Sequence, residues 1–209
     1  MVITEDLKKY LTELIESTNA FIKAVSFLEV DETGMEITYS KNPMDKMTCL
    51  MAGAYNDYMI WKKGIVEKTT LPKKTKNYLK YYRHNGNLVR IDSYVNGKID
   101  VSYGFFINGF HFYLIPFSAR TKRLYVATGT FVALKDKEEV MESYYVTGNS
   151  INHFDYRKID EYTTAFTYIS YAPAGKYPVL EYFEGKITAG ESPKLEIYNY
   201  YNWMKKDRQ

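Results

Sequence analysis

His153 and Asp155 stand two residues apart in a strand-like run, so their side chains fall on one face. A carboxylate in that position can orient the imidazole, or the two can ligate a metal together. A metal centre needs a third ligand at matching geometry, and nothing stands at a recognisable spacing to supply it. No metal and no cofactor is therefore expected. His84 adjoins Asn85-Gly86, where solvent is its expected neighbour, and His111 completes the histidines. Cys49 falls near the apolar side of a predicted helix with no nucleophile signature around it, so a buried, inert thiol is expected. The chain carries no Gly-x-Gly-x-x-Gly, no P-loop, no Gly-x-Ser-x-Gly and no His-Glu-x-x-His. Carboxylates are plentiful, yet no pair is spaced to imply general acid and base roles. Catalysis is left open, with the lean against it.

Arg90 and Asp92 are a more informative pair. Asn-Gly occurs at 85–86, 96–97 and 108–109, each time between apolar or alternating runs. This dipeptide is the strongest short-range hairpin signal, because a type I′ turn needs positive φ at both central residues. Counting outward from each as a two-residue loop sets Tyr81 opposite Arg90, Leu79 opposite Asp92 and Arg90 opposite Tyr103. The same count sets Asp92 opposite Val101, Tyr94 opposite Ile99, Ile107 opposite Phe110 and Tyr103 opposite Leu114. Arg90 and Asp92 then lie on a core-facing strand surface, where charge is costly unless paired and hydrogen-bonded. Two outcomes follow: an ion pair near the sheet margin, or a concavity lined by the two charges beside Tyr81 and Tyr103. Tyr81, Arg90, Asp92 and Tyr103 are accordingly the candidate ligand- or partner-binding residues.

A third feature is the run from Lys73-Lys74-Thr75-Lys76 through Tyr78, Lys80, Tyr81, Tyr82 and Arg83. Alternating cations and rings are what a single-strand nucleic-acid platform uses, with bases on rings and phosphates on lysines. Solvated edge-strand lysines that block aggregation account for it more simply.

The elements that must position these residues read as follows. Thr4 caps a helix with Glu5 and Asp6 in its first turn, and Leu7, Tyr10, Leu11, Leu14 and Ile15 recur at helical spacing. Phe21, Ile22, Val25 and Leu28 continue that pattern past a weaker stretch at Ser17–Asn19. Asp31–Gly34 is a turn and Met35–Tyr39 a short strand. Asn42-Pro43 opens a second helix whose broad face holds Met44, Met47, Leu50, Met51, Ala54, Tyr58 and Trp61. From Tyr78 onward the rhythm is that of hairpins. Further strands are predicted at Leu124–Leu134, Val140–Val146, Ser150–Arg157, Tyr162–Tyr171, Val179–Phe183, Lys186–Thr188 and Leu195–Tyr201. The fold class is α+β: N-terminal helices packed on a large antiparallel β-meander that curls into a half-barrel. Residues 1–209 form a single domain, with a mainly helical part at 1–75, the sheet at 76–202 and a loose basic tail at 203–209.

Composition bounds the function. The chain has 209 residues, 45% hydrophobic and 25% charged, which is globular rather than disordered. Its 22 Tyr suit half-buried strand positions and also protein recognition, since tyrosine offers rigid amphipathic area at low entropy cost. A net charge of +3 falls short of the basic stripe of a dedicated nucleic-acid binder. It is also the wrong sign for an inhibitor that fills a nuclease cleft. A single cysteine, no apolar stretch long enough to span a membrane and no signal-peptide pattern make the cytoplasm the expected location. The expectation is a non-catalytic binding protein acting through a Tyr-rich sheet surface, in the manner of a bacterial toxin-neutralising (immunity) protein. The alternatives are a small-molecule-binding protein or enzyme with a half-barrel cavity, and a weak single-stranded nucleic-acid binder. A protein partner ranks first, a small molecule second and nucleic acid last, with no membrane.

Overall fold

The N-terminal amphipathic run forms one helix, α1 (Glu5–Ala24), in a computed structural model that describes residues 3–41, 62, 67–71, 75–125, 128–136, 139–175 and 178–202. Thr4 Oγ1 accepts the Leu7 N–H at 3.3 Å, satisfying one of the orphan donors of the first turn. Glu5 and Asp6 lie at the positive end of the helix dipole and Lys23 at the negative end. Leu11, Leu14, Ile15 and Thr18 are buried. Each aliphatic of that set contributes about 1.5–3 kcal/mol by leaving water. The helix stops at Val25, whose backbone is extended, so the apolar Val25–Leu28 belongs to a connector and not to the helix as its spacing suggested. The second helix expected after Pro43, with Cys49 in it, lies outside the described residues, as do Lys73, Lys74 and the tail at 203–209.

Among the described residues eleven strands follow: β1 (Glu36–Ser40), β2 (Tyr78–His84), β3 (Asn87–Val95), β4 (Lys98–Asn108), β5 (His111–Ser118) and β6 (Thr130–Asp136). They continue with β7 (Glu139–Thr147), β8 (Ser150–Lys158), β9 (Thr163–Tyr171), β10 (Val179–Thr188) and β11 (Lys194–Asn202). All belong to one antiparallel sheet in strict sequence order, an uninterrupted meander. Its first and last strands have no shared ladder, so the sheet is not closed into a barrel. The two short strands expected at 179–183 and 186–188 are one continuous β10.

The first two Asn-Gly turns have the backbone their sequence demands: φ is 49° and 76° at Asn85 and Gly86, and 53° and 77° at Asn96 and Gly97. The third does not. Asn108 pairs with His111, and the loop is Gly109-Phe110 with positive φ only at Gly109. Glycine first in a two-residue loop is the type II′ pattern. Ile107 consequently faces Phe112 and Tyr103 faces Pro116, a slip of two residues that preserves which face each side chain occupies.

Two bulges do change faces. The register between β2 and β3 shifts between Tyr82 and Arg83, and that between β3 and β4 shifts between Ser93 and Tyr94. One extra residue in a ladder sends every later side chain to the other side. Arg90 therefore faces Tyr82 and Gly104, and Asp92 faces Lys80 and Ser102.

One sheet face packs on α1, with Tyr113, Ile115, Val132, Tyr144, Ile169 and Tyr182 among the residues that meet Leu11, Leu14 and Ile15. The opposite face carries two further clusters. Leu79, Tyr81, Ile91, Tyr103 and Leu114 make one, and Phe154, Tyr156, Phe166 and Ile187 the other.

Candidate functional site

The four residues singled out by sequence are all buried, and they separate onto two faces. Tyr81 and Tyr103 belong to the core cluster on the face away from α1. Arg90 and Asp92 lie on the helix side, where the bulges put them. Arg90 Nε and Nη2 donate to the two Asp92 carboxylate oxygens at 2.9 and 2.6 Å. Tyr82 donates its hydroxyl to Asp92 at 2.8 Å, and Arg90 Nη1 reaches the Leu28 carbonyl at 3.3 Å. The guanidinium also stacks 4.8 Å from the Tyr82 ring and 5.5 Å from the Phe27 ring. Next to it Lys80 Nζ holds Glu32 at 2.6 Å. Burial raises the Tyr82 phenol well above its ordinary range, and the Asp92 carboxylate adds to that. Burial opposes the Arg90 charge, but the hydrogen bonds and charge of Asp92 outweigh it and leave its affinity for the proton raised. This cluster ties the connector after α1 down across the sheet.

The basic–aromatic run of β2 is similarly engaged. Tyr81 and Tyr82 are buried. Arg83 pairs with Glu67 through two nitrogens at 2.8 and 3.0 Å, and Tyr78 stacks on Tyr94 with ring centres 4.3 Å apart. Its rings and cations face the protein's own groups.

The His153–Asp155 candidate proves to be part of a larger cluster. His153 Nε2 lies 2.8 Å from Glu142 Oε2, and Tyr10 of α1 donates its hydroxyl to the same oxygen at 2.6 Å. Tyr10 meets the imidazole edge-on and Tyr144 stacks on it, both with ring centres 6.1 Å apart. Burial alone would raise the Glu142 pKa, but hydrogen bonds from His153 and Tyr10 and the nearby histidines bring it below the ordinary carboxylate value. Asp155 shares the face and stands opposite Glu142 in the ladder. Its pKa is raised, by burial first and then by the Glu142 charge. The imidazole is thus oriented by Glu142 from the neighbouring strand, and not by Asp155. That partner is invisible to short-range spacing because it lies eleven residues away across a hairpin.

Beyond Asp155 the helix no longer covers the sheet, and a groove of about 290 Å³ opens there. One cross-strand row crosses it: Asp155, Thr167, Glu184 and Tyr198, in register from β8 to β11. Arg157 and Ala165 form the next row. Glu184 is held by the Tyr182 hydroxyl and by Asn199 Nδ2 at 3.0 Å, and the Tyr182 contact is the main cause of its lowered pKa. Asp155 and Arg157 make no hydrogen bond or ion pair with any described residue, although each senses the other's charge. Tyr198 stands at the rim, 43% exposed. The groove therefore offers one unpaired carboxylate, one unpaired guanidinium, one restrained carboxylate and an aromatic wall. Nothing in the sequence marks it, because its members come from four strands and touch only through the register. Among the described residues no group of three His, Cys, Asp or Glu is placed to hold a metal, and no helix is long and apolar enough to cross a membrane.

No protein-family model, no curated protein and no solved structure matches the chain.

Proposed function

We propose that this chain is a non-catalytic binding protein that receives a protein partner on the helix-side face of β8–β11, at the groove between Asp155, Arg157, Glu184 and Tyr198. The observation that carries the reading is the pair of unpaired opposite charges, Asp155 and Arg157, set beside an exposed tyrosine on a rigid sheet. Charges left unsatisfied within the chain are available to complementary groups of a partner, and such pairs set register and specificity. Tyrosine at the rim supplies contact area at low entropy cost. Tyr81, Arg90, Asp92 and Tyr103 serve this reading by holding the sheet in shape. Neutralisation of a protein toxin in the cytoplasm, an immunity role, is its specific form. The mildly basic chain directs that role toward an acidic target or a cleft that is not a nuclease's.

A second reading rests on one specific observation. Asp155 and Glu184 share the groove with pKa values displaced in opposite directions, the arrangement that assigns an acid and a base in carboxylate enzymes. The groove is close to the lower limit of ligand pockets, about 300 Å³. A sheet curled into a half-barrel around it is the shape that this cavity reading needs.

The deciding experiment is affinity capture followed by reconstitution from purified components, with wild type beside an Asp155→Lys, Arg157→Glu charge exchange. A stoichiometric protein partner whose affinity falls roughly tenfold or more in the exchanged protein supports the binding reading. A small molecule that co-purifies with wild type only, with no protein partner, sinks it and favours the cavity.

A further inference from the structure

The C-terminal end of α1 does not lie flush on the sheet. Between it, β7 and the loop that leads into β6 is a cavity of about 190 Å³, which shares no residue with the groove at β8–β11. Its walls are held from three sides. Asn19 Nδ2 donates to the Gly148 carbonyl at 2.9 Å and fixes α1 to the turn after β7. The Tyr145 hydroxyl accepts the Gly129 N–H at 2.7 Å and fixes the loop to β7. A Cβ at Gly129 would run into the Val146 carbonyl oxygen and the Thr147 hydroxyl, so only glycine lets the loop come this close.

The lining divides into an apolar body and a polar margin. Ile22, Leu124, Tyr125 and Val146 supply the apolar part. Thr130 stands opposite Val146 in the ladder and is 3% exposed, yet its hydroxyl has no hydrogen-bond partner among the described residues. A hydroxyl buried this far is normally matched, and leaving it unmatched is costly. Lys23 is the one charged residue in the lining; it is exposed and makes no ion pair with any described residue. The wall thus offers an unmatched hydroxyl inside and an unmatched ammonium at the rim.

We infer that this cavity binds a small organic monocarboxylate whose body is a single ring or a short branched chain. Size sets the body. An aliphatic-walled cavity of about 150 Å³ accepts benzene, whereas drug-sized ligands need about 300 Å³ or more. Charge sets the head. Lys23 carries a full positive charge against about half a negative charge at the end of the helix dipole, so the rim attracts an anion. A phosphate would bring more charge than one lysine matches and would set it against apolar walls. A carboxylate gives Lys23 a counter-charge and gives the Thr130 hydroxyl an acceptor. The inference goes beyond protein binding at the groove, and each stands or falls without the other.

The test is titration of the full chain with benzoate, followed through the methyl NMR signals of Ile22, Leu124 and Val146. Saturable shifts of all three are expected, with a Kd of about 1 mM or tighter, which a ligand of this size can supply. Benzylammonium, a similar ring with the charge reversed, is expected to bind at least about tenfold more weakly. Thr130→Val keeps the side-chain shape, removes the hydroxyl and is expected to weaken benzoate about tenfold. Lys23→Gln is expected to weaken it about threefold to fivefold, since the ammonium is exposed and screened. Circular dichroism and thermal melting first confirm that both variants fold. Absence of saturable shifts at those methyls up to about 10 mM benzoate overturns the inference. So does benzylammonium binding as tightly as benzoate, or either folded variant binding benzoate as wild type does.

Discussion

Arg90 and Asp92 stand two residues apart on β3 and clasp each other through two hydrogen bonds of 2.9 and 2.6 Å, on the sheet face opposite Tyr103. Asp92 is fully buried and Arg90 nearly so. Removing one member leaves the other charged, desolvated and unmatched. Asp92→Ala is therefore expected to cost about 3–5 kcal/mol, the usual range for a broken buried pair. The double variant Arg90→Met, Asp92→Leu removes both desolvation penalties and is expected to recover much of that loss. Urea unfolding of the three proteins checks it. A single variant that is no less stable than the double would mean the pair is not the clasp it resembles.

Gly185 and Phe166 make a tighter relationship on the other face. They are ladder partners, and a methyl group on Gly185 would come 2.7 Å from Phe166 Cε1 and 2.8 Å from the Glu196 carbonyl oxygen. The ring is buried and already packs against Phe154 and Phe183, and the carbonyl belongs to the β11 backbone. Neither can retreat cheaply. Gly185→Ala is expected to destabilise by about 1–3 kcal/mol through overpacking, despite alanine's lower unfolded-state entropy. Thermal unfolding decides the sign, and a neutral or stabilised variant would show that β11 can yield.

Much of this architecture is legible in the residues, and the losses have particular causes. The capped helix, the meander and most strand positions follow from periodicity and turn chemistry, because these are local. The two bulges are not local. The extra residues are Val89 on β3 and Asp100 on β4, and neither type announces a bulge, yet each bulge moves Arg90 and Asp92 to the opposite face from Tyr81 and Tyr103. The same limit hid the groove and the Glu142–His153 contact, which exist only once the register of four strands is fixed.

The three Asn-Gly pairs offer a direct check on how far turn sequence determines turn geometry. Asn85 and Asn96 hold positive φ, and Asn108 does not. An alanine side chain in the left-handed region costs roughly 1–2 kcal/mol, less what asparagine itself already bears. Asn85→Ala and Asn96→Ala are thus expected to lose about 1 kcal/mol each, and Asn108→Ala less than about 0.5 kcal/mol. For the third hairpin the sensitive position is Gly109, so Gly109→Ala is expected to be the costly substitution there. Equal losses at all three asparagines would contradict the type II′ assignment.

Glu142 and Asp155 pull the acid limb of stability in opposite senses. Glu142 has a folded pKa below its ordinary 4.5, so it contributes stability above that value and loses it as pH falls through the folded one. Asp155 has a folded pKa above its ordinary 3.8, so its contribution is complete below 3.8 and disappears as pH rises through the raised value. The groups facing the pair are His153, His111, Tyr10, Tyr144 and Arg157. Tyr10→Phe removes one of the two hydrogen bonds on Glu142 Oε2 and is expected to cost about 1–2 kcal/mol at neutral pH, since the acceptor is charged and half-buried. It also moves the Glu142 pKa back toward its ordinary value, so the fall in stability on acidification becomes shallower. Asp155→Asn removes a carboxylate that is raised by burial and by Glu142, and is expected to be more stable than wild type near neutral pH with a steeper acid limb. Urea midpoints measured from about pH 7 down to about pH 3 separate the two variants. If both steepen the limb, or both flatten it, the opposed signs assigned to these carboxylates are wrong.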